Sequence, residues 1–149
     1  MKVKHLHDLL LILIVSFLPG PVFAGSNMTV RNSSGSSVGR IDSNGTVRNS
    51  SGSSIGKIED SGTVRNSSGS SIGRIDGDGT IRNSSGSSIG RVDANGTLRN
   101  SSGSSVGRID GCTVRNSSGS SRGKFDNCTP ADMHTMAAYL FFFNPLHNR

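Results

Sequence analysis

The chain has 149 residues, enough for one domain or a short repeat array and too few for a large core. It is basic, with a formal net charge of +6, and only 5% of its residues are aromatic. The positive balance favours a polyanionic partner. Because the chain offers few aromatic side chains for stacking bases, nucleic acid is not the expected one.

The first 24 residues have the three parts of a signal peptide. Lys2 and Lys4 precede an apolar stretch from Leu9 to Leu18, and Val22–Ala24 ends in the small residue that a signal peptidase accepts. A retained membrane anchor is the alternative, but ten apolar residues fall short of the ~20 that span a bilayer. We expect cleavage after Ala24 and an exported product, which is periplasmic, secreted or on the cell surface.

Six copies of one short unit fill the predicted repeat domain, residues 25–128. The third copy reads TVRNSSGSSIGRIDGDG, the first four intervals are 17 residues and the last is 16. A fixed period this short indicates one supersecondary unit that depends on its neighbours for stability. The copies begin at Thr29, Thr46, Thr63, Thr80, Thr97 and Thr113.

Each copy contains an Asn turn signal, and the first four copies also contain an acidic one; in both, an Asx or Glu residue is followed three positions later by Gly. In the third copy they are Asn66–Gly69 and Asp76–Gly79, the residue types that a type I turn prefers. The segments between them carry β-branched residues and predict short strands over Thr63–Arg65 and Ser70–Ile75. The repeat is therefore predicted to be all-β, with a chain reversal every eight or nine residues.

Three apolar rows run through the copies and predict the core. Ile72 and Ile75 are three residues apart, so we expect a β-bulge at Gly73 that turns both side chains inward. Arg122 stands where the sixth Ile72 equivalent belongs, which is typical of an end unit that no further unit covers. The other members are Val30, Val47, Val64, Ile81, Leu98 and Val114; Val38, Ile55, Ile89 and Val106; and Ile41, Ile58, Val92, Ile109 and Phe125.

The signal peptide, the tandem V-R-N-S-S-G-S-S-I-G-R-I-D-x-x-G-T units and the phenylalanine run near the C terminus together resemble the five-fold β-flower family, exported proteins of Bacteroides-like bacteria. The resemblance implies β-hairpins arranged around an axis and no established biochemical activity. Independently, the repeats contain five complete hairpins and two lone strands, Met28–Arg31 and Gly123–Asp126, that can pair to close a ring. A β-solenoid with 17-residue coils is the alternative architecture.

Cys112 and Cys128 stand at the same phase of consecutive repeats, each directly before a Thr. In an exported chain with two cysteines this predicts a disulfide. The acidic turns, such as Asp76–Gly79, look like part of a calcium loop but lack its downstream bidentate Glu. Turn chemistry explains them, so no metal site and no cofactor are predicted.

Two rows of cations and one row of acids accompany the strands. The acids lie two residues from the second cationic row, so we expect cross-strand ion pairs that use that row and leave the first unmatched. An unmatched arginine row can hold phosphate or sulfate groups bidentately, which makes it the candidate site for an acidic glycan or another polyanion. The first row is Arg31, Arg48, Arg65, Arg82, Arg99 and Arg115; the second is Arg40, Lys57, Arg74, Arg91, Arg108 and Lys124; the acids are Asp42, Glu59, Asp76, Asp93, Asp110 and Asp126.

The segment 129–149 is not repeated and is predicted to be a hydrophobic cap over one end of the array. Met133–Ala138 is expected to form a helical turn, followed by an apolar strand or plug. The alternative is an envelope anchor, because exposed phenylalanines are a liability in water. That membrane contact would be made by Tyr139, Leu140, Phe141, Phe142 and Phe143.

Near-identical repeats place the same groups at every equivalent position, whereas a catalytic site needs different groups converging on one point. We therefore expect no enzyme activity. The sequence predicts an exported cell-envelope module with a structural or binding role.

Overall fold

A computed structural model describes residues 26–143 as twelve β-strands followed by one helix. The predicted signal peptide and the last six residues of the tail lie outside this range. The strands are β1 (Met28–Asn32), β2 (Ser37–Ile41), β3 (Thr46–Asn49), β4 (Ser54–Ile58), β5 (Thr63–Asn66), β6 (Ser71–Ile75), β7 (Thr80–Asn83), β8 (Ser88–Val92), β9 (Thr97–Asn100), β10 (Ser105–Asp110), β11 (Thr113–Asn116) and β12 (Ser121–Asp126); the helix is α1 (Met133–Phe142), preceded by a 3-10 turn, Pro130–Asp132.

Each strand pairs antiparallel with the next one in sequence, and β1 pairs with β12 to close a barrel. In the closing pair Val30 lies opposite Phe125. The five predicted hairpins are β2–β3, β4–β5, β6–β7, β8–β9 and β10–β11, and the chain ends supply a sixth pair that no turn connects. The predicted all-β arrangement of hairpins around an axis is confirmed, and the solenoid alternative is wrong. Closure leaves no strand edge unpaired.

The two turn types lie at opposite ends of the barrel because the strands run alternately up and down. At one end are the Asn turns; Asn66 Oδ1 accepts hydrogen bonds from the backbone N–H groups of Ser68 at 3.1 Å and Ser70 at 3.0 Å. Gly69 completes this turn at φ 85°, a conformation that favours glycine. At the other end are the acidic turns, which begin at the Asp or Glu of each repeat.

The predicted bulge is present, and the glycine row faces the interior. Val64 pairs with Gly73 and Arg65 pairs with Ser71, so Ile72 is the extra residue in β6. The first and third apolar rows are buried, whereas the Ile72 row is only half-buried against the core. The expectation that Ile72 turns fully inward is thus wrong, since the bulge turns Gly73 inward instead.

The expectation that Arg122 marks an end unit is also wrong. Its strand, β12, has a paired neighbour on both sides, β11 and β1, because the array is closed. Arg122 is half-buried in the same row as Ile72.

Helix α1 occupies the barrel interior. A barrel of twelve strands is wider than an eight-stranded one, whose side chains alone fill the lumen. The helix supplies the missing volume: Met136, Ala137, Ala138, Tyr139 and Leu140 are at most 2% exposed. Its ten residues span about 15 Å, close to the length of a five-residue strand. A helix that is apolar all round is suited to such a buried position.

The inward glycines make room for aromatic rings of the helical segment. A Cβ at Gly39 would lie 2.6 Å from Tyr139 Oη, a distance that no real Cβ tolerates. On the next three repeats the rings of Phe143, Phe142 and Phe141 lie against Gly56, Gly73 and Gly90 respectively. Tyr139 also contacts Phe125 edge to face, with the ring centroids 5.7 Å apart.

The predicted disulfide joins Cys112 and Cys128, whose Cα atoms are 5.9 Å apart. Cys112 lies in the turn between β10 and β11, and Cys128 follows β12. The bond therefore fastens the chain to the barrel just before it turns back into the lumen. Among the described residues no helix is long and apolar enough to cross a membrane.

Candidate polyanion-binding surface

The outer face of the barrel carries the two predicted cationic rows, and the strand register places them directly opposite each other. Arg40 pairs with Arg48, and Arg74 pairs with Arg82. Like charges in directly opposed positions destabilise a sheet unless other groups neutralise them. The equivalent pairs are Lys57 with Arg65, Arg91 with Arg99, Arg108 with Arg115, and Lys124 with Arg31 across the closing seam.

One carboxylate neutralises part of each cationic pair. In the first hairpin Asp42 receives Arg40 Nε at 2.6 Å on one oxygen and Arg48 Nε at 2.7 Å on the other. The same clamp forms on Asp76, on Asp93 and, with Lys124 replacing the second arginine, on Asp126. We call this outer surface of twelve cations and six carboxylates the cationic belt; it carries six more positive than negative groups.

The first arginine row is fully paired, so the expectation that it is unmatched is wrong, whereas the expected pairing of the second row is found for Arg40, Arg74, Arg91 and Lys124. Each member donates through Nε to a carboxylate of the acidic row and through Nη1 to the carbonyl of the glycine that ends the following Asn turn. For Arg48 the acceptors are Asp42 and Gly52, the latter at 3.0 Å. Arg31, Arg65, Arg82, Arg99 and Arg115 repeat this arrangement. These arginines therefore tie a strand to both of its turns.

The second row is the more exposed one. Its ion-paired members have side chains 47–55% exposed, against 33–40% for the first row. Within residues 26–143, Lys57 and Arg108 form no ion pair with a carboxylate, so Glu59 and Asp110 are each paired only through the first row. The cations most accessible to a ligand consequently belong to the second row.

Hydrogen bonds from the arginines lower the pKa of five carboxyls of the belt. For Asp42 the largest cause is the guanidinium of Arg48, opposed by burial and supported by Arg40. For Asp76 the bonds from Arg82 and Arg74 lower the pKa. The pKa values of Glu59, Asp93 and Asp126 are lowered in the same way, chiefly by Arg65, Arg99 and Arg31. These five carboxylates thus remain charged under mildly acidic conditions.

Two grooves in the belt have the same lining in consecutive repeats. The first, about 350 Å³, combines Arg74 with the hydroxyl groups of Thr63, Ser71 and Ser84 and the amide of Asn83. The second, about 290 Å³, contains the residues 17 positions later, Thr80, Ser88, Arg91, Asn100 and Ser101, together with Arg99. Each groove thus places a cation among neutral hydrogen-bonding groups.

The aromatic tail does not form part of this outer surface. Tyr139 and Leu140 are buried in the barrel, and Phe141, Phe142 and Phe143 are half-buried and packed against the core. Their position favours the predicted cap over the anchor, although the segment fills the lumen and does not merely cover an end. Within the described range no three His, Cys, Asp or Glu side chains are placed to hold a metal ion.

The fold and the surface together define a closed, up-and-down β-barrel of repeated hairpins, with its C-terminal helix in the lumen and the cationic belt on its outer face. The chain belongs to the five-fold β-flower proteins, whose family model matches residues 27–144. Five turn-connected hairpins agree with that description, and the pair formed by the chain ends adds a sixth sector. Neither the curated proteins nor the solved structures gave a match.

Proposed function

We propose that this β-flower protein is an exported cell-envelope module that binds acidic glycans or other polyanions through its cationic belt. The observation that carries the proposal is the register that sets two cations opposite each other in all six sectors, where each pair has a single carboxylate beside it. An anionic ligand would compensate the charge that each sector leaves unbalanced. Repetition of the same groups also suits multivalent binding better than catalysis.

Within the belt, the two rows have different roles in the proposal. The first row, Arg31, Arg48, Arg65, Arg82, Arg99 and Arg115, holds the carboxylates and turns in place and contributes positive potential. The second row makes the direct contacts because it is more exposed. Export is supported by the signal-peptide pattern of residues 1–24 and by the disulfide, a bond that persists in oxidising compartments.

The test is retention on an immobilised acidic polymer at increasing salt. Polyanion binding weakens with salt in proportion to the number of cations that engage the polymer. We expect Arg40→Gln, Arg74→Gln, Arg91→Gln and Arg108→Gln together to elute at clearly lower salt and to flatten the dependence of affinity on salt. These positions are chosen because first-row substitutions would also remove turn contacts.

The matched control replaces the same four arginines by lysine, which keeps the charge and loses the planar fork. We expect this variant to keep most of the salt-dependent retention. If the glutamine variant and the unmodified protein elute together, the belt does not bind the polymer and the proposal fails. The tail anchor is not proposed, since the residues that would contact a membrane pack inside the barrel.

A further inference from the structure

The two equivalent grooves allow the class of polyanion to be narrowed, on the premise that the belt binds polyanions as proposed. Each groove offers more neutral hydrogen-bonding groups than charges: around Arg74 lie four hydroxyl-bearing side chains and one amide. The oxygens of a polyphosphate can accept hydrogen bonds from these groups but cannot donate any in return. Sugar rings carry both hydroxyl groups and, when oxidised or sulfated, an anionic group.

The spacing between grooves gives a second constraint. Arg74 and Arg91 lie on β6 and β8, which are separated by one intervening strand. Equivalent groups on the two strands are therefore two strand spacings apart, about 10 Å. One disaccharide of an extended, linear polysaccharide has nearly this length. A polymer with one anionic group per disaccharide can thus present one charge to each groove in turn.

The serines of the grooves are available for such contacts. Ser71 and Ser84 are exposed, and their hydroxyl groups take no part in the hydrogen bonds that hold the turn, which Asn83 and Ser85 form instead. In the second groove Ser101 is likewise exposed. The grooves therefore present hydroxyl groups to a ligand without cost to the turns.

We infer that the belt binds a linear acidic polysaccharide with one anionic group per disaccharide, laid around the barrel with consecutive disaccharides in consecutive grooves. The second-row cations contact the anionic groups, and the serine and threonine hydroxyls contact the sugar rings. Each further groove that is engaged makes the next contact intramolecular, so affinity rises steeply with ligand length.

The experiment measures Kd for hyaluronan di-, tetra- and hexasaccharides, which carry one carboxylate per disaccharide, with linear polyphosphate as a probe that carries charges but no sugar rings. We expect Kd to fall at least about tenfold with each added disaccharide. A variant with Ser71→Ala, Ser84→Ala, Ser88→Ala and Ser101→Ala should lose about tenfold or more for the hexasaccharide, since each neutral hydrogen bond contributes a few-fold. Its loss of affinity for polyphosphate should be smaller, because polyphosphate can only accept hydrogen bonds from these hydroxyls.

The matched control is Ser43→Ala, which removes a hydroxyl group from an acidic turn outside the grooves and should leave both affinities unchanged. If polyphosphate binds but affinity for the oligosaccharides is independent of their length, or if the groove variant binds the hexasaccharide normally, the inference is overturned and the proposed function stands. If neither probe binds the unmodified protein, the proposed function itself is refuted.

Discussion

The inward glycines make a sharp prediction about how the helix is held in the barrel. Gly90 and Gly107 occupy equivalent sites on β8 and β10, and a Cβ at either would meet a backbone carbonyl on the next strand, that of Arg99 at 2.6 Å or Arg115 at 2.5 Å. Only at Gly90 would it also meet an aromatic ring, with Phe141 Cζ at 2.6 Å. The clash with the backbone of the next strand is thus common to both substitutions, and only the substitution at Gly90 adds a clash with an aromatic ring.

We therefore expect Gly90→Ala to lower the free energy of unfolding more than Gly107→Ala does, by about 1–3 kcal/mol, the usual cost of overpacking a filled core. In a Phe141→Ala background the two glycine substitutions should cost the same. Urea denaturation can be followed through the fluorescence of Tyr139, the single tyrosine of a chain without tryptophan, which is buried in the lumen.

The difference between the two variants is informative because each substitution adds the same methyl group to the same strand position. Equal destabilisation by Gly90→Ala and Gly107→Ala in the unmodified background would refute the argument that the glycine row accommodates the rings. A difference that persists after Phe141→Ala would refute it too, since the ring would then not be its cause.

Three further predictions follow from the same contacts. The carboxyls of Asp76 and Asp93 have pKa values below their ordinary range, so they stabilise the fold at neutral pH and this contribution is lost as the pH falls below about 4; acid unfolding monitored by circular dichroism should become shallower in Asp76→Asn with Asp93→Asn. Replacing Cys112 and Cys128 by Ser should lower the free energy of unfolding by about 3 kcal/mol, the value for a closed loop of about 15 residues. Urea denaturation measures this change, and a reductant should destabilise the unmodified protein but not the variant. A chain ending at Pro130 lacks the helix that fills the lumen and should lose cooperative unfolding, which calorimetry detects; a sharp transition at an unchanged temperature would contradict this.

The strands and the closure could be predicted from the sequence because both turn types recur at a fixed spacing. Each Asn-Ser-Ser-Gly turn and each acidic turn reverses the chain, so every repeat contributes two antiparallel strands. Two strands, one at each end, remained without a hairpin partner, and a strand edge that is left open exposes unpaired backbone groups. Pairing β1 with β12 removes that exposure.

Cross-strand ion pairs were predicted, but the participation of the first cationic row was not. Asp42 lies two residues after Arg40, so the sequence suggested that only the row of Arg40 supplies the pairs. The antiparallel register then brings Arg48 to the same carboxylate from the neighbouring strand. Register between strands is set by turn geometry and by the pattern of the buried face, and neither is visible in the spacing of charges.

The tail was predicted correctly as a hydrophobic element, whereas its conformation was only partly foreseen. Met133–Ala138 was expected to be one helical turn, yet the helix continues to Phe142. Inside a closed barrel every strand already has both partners, so a further extended segment would leave its backbone groups unpaired. A helix satisfies those groups internally, which explains why the phenylalanines follow helical geometry.

The edge-to-face contact between Phe125 and Tyr139 bears on how a symmetrical wall can hold an unsymmetrical occupant. Six nearly identical sectors would by themselves offer the helix six nearly equivalent rotational settings about the barrel axis. Phe125 stands where the other sectors have Ile or Val, so the wall has one sector that differs, and Tyr139 of the helix contacts it. A perfectly regular version of this sequence would lose that contact, and the rotational setting of its helix would depend on the connection from β12 and on the disulfide.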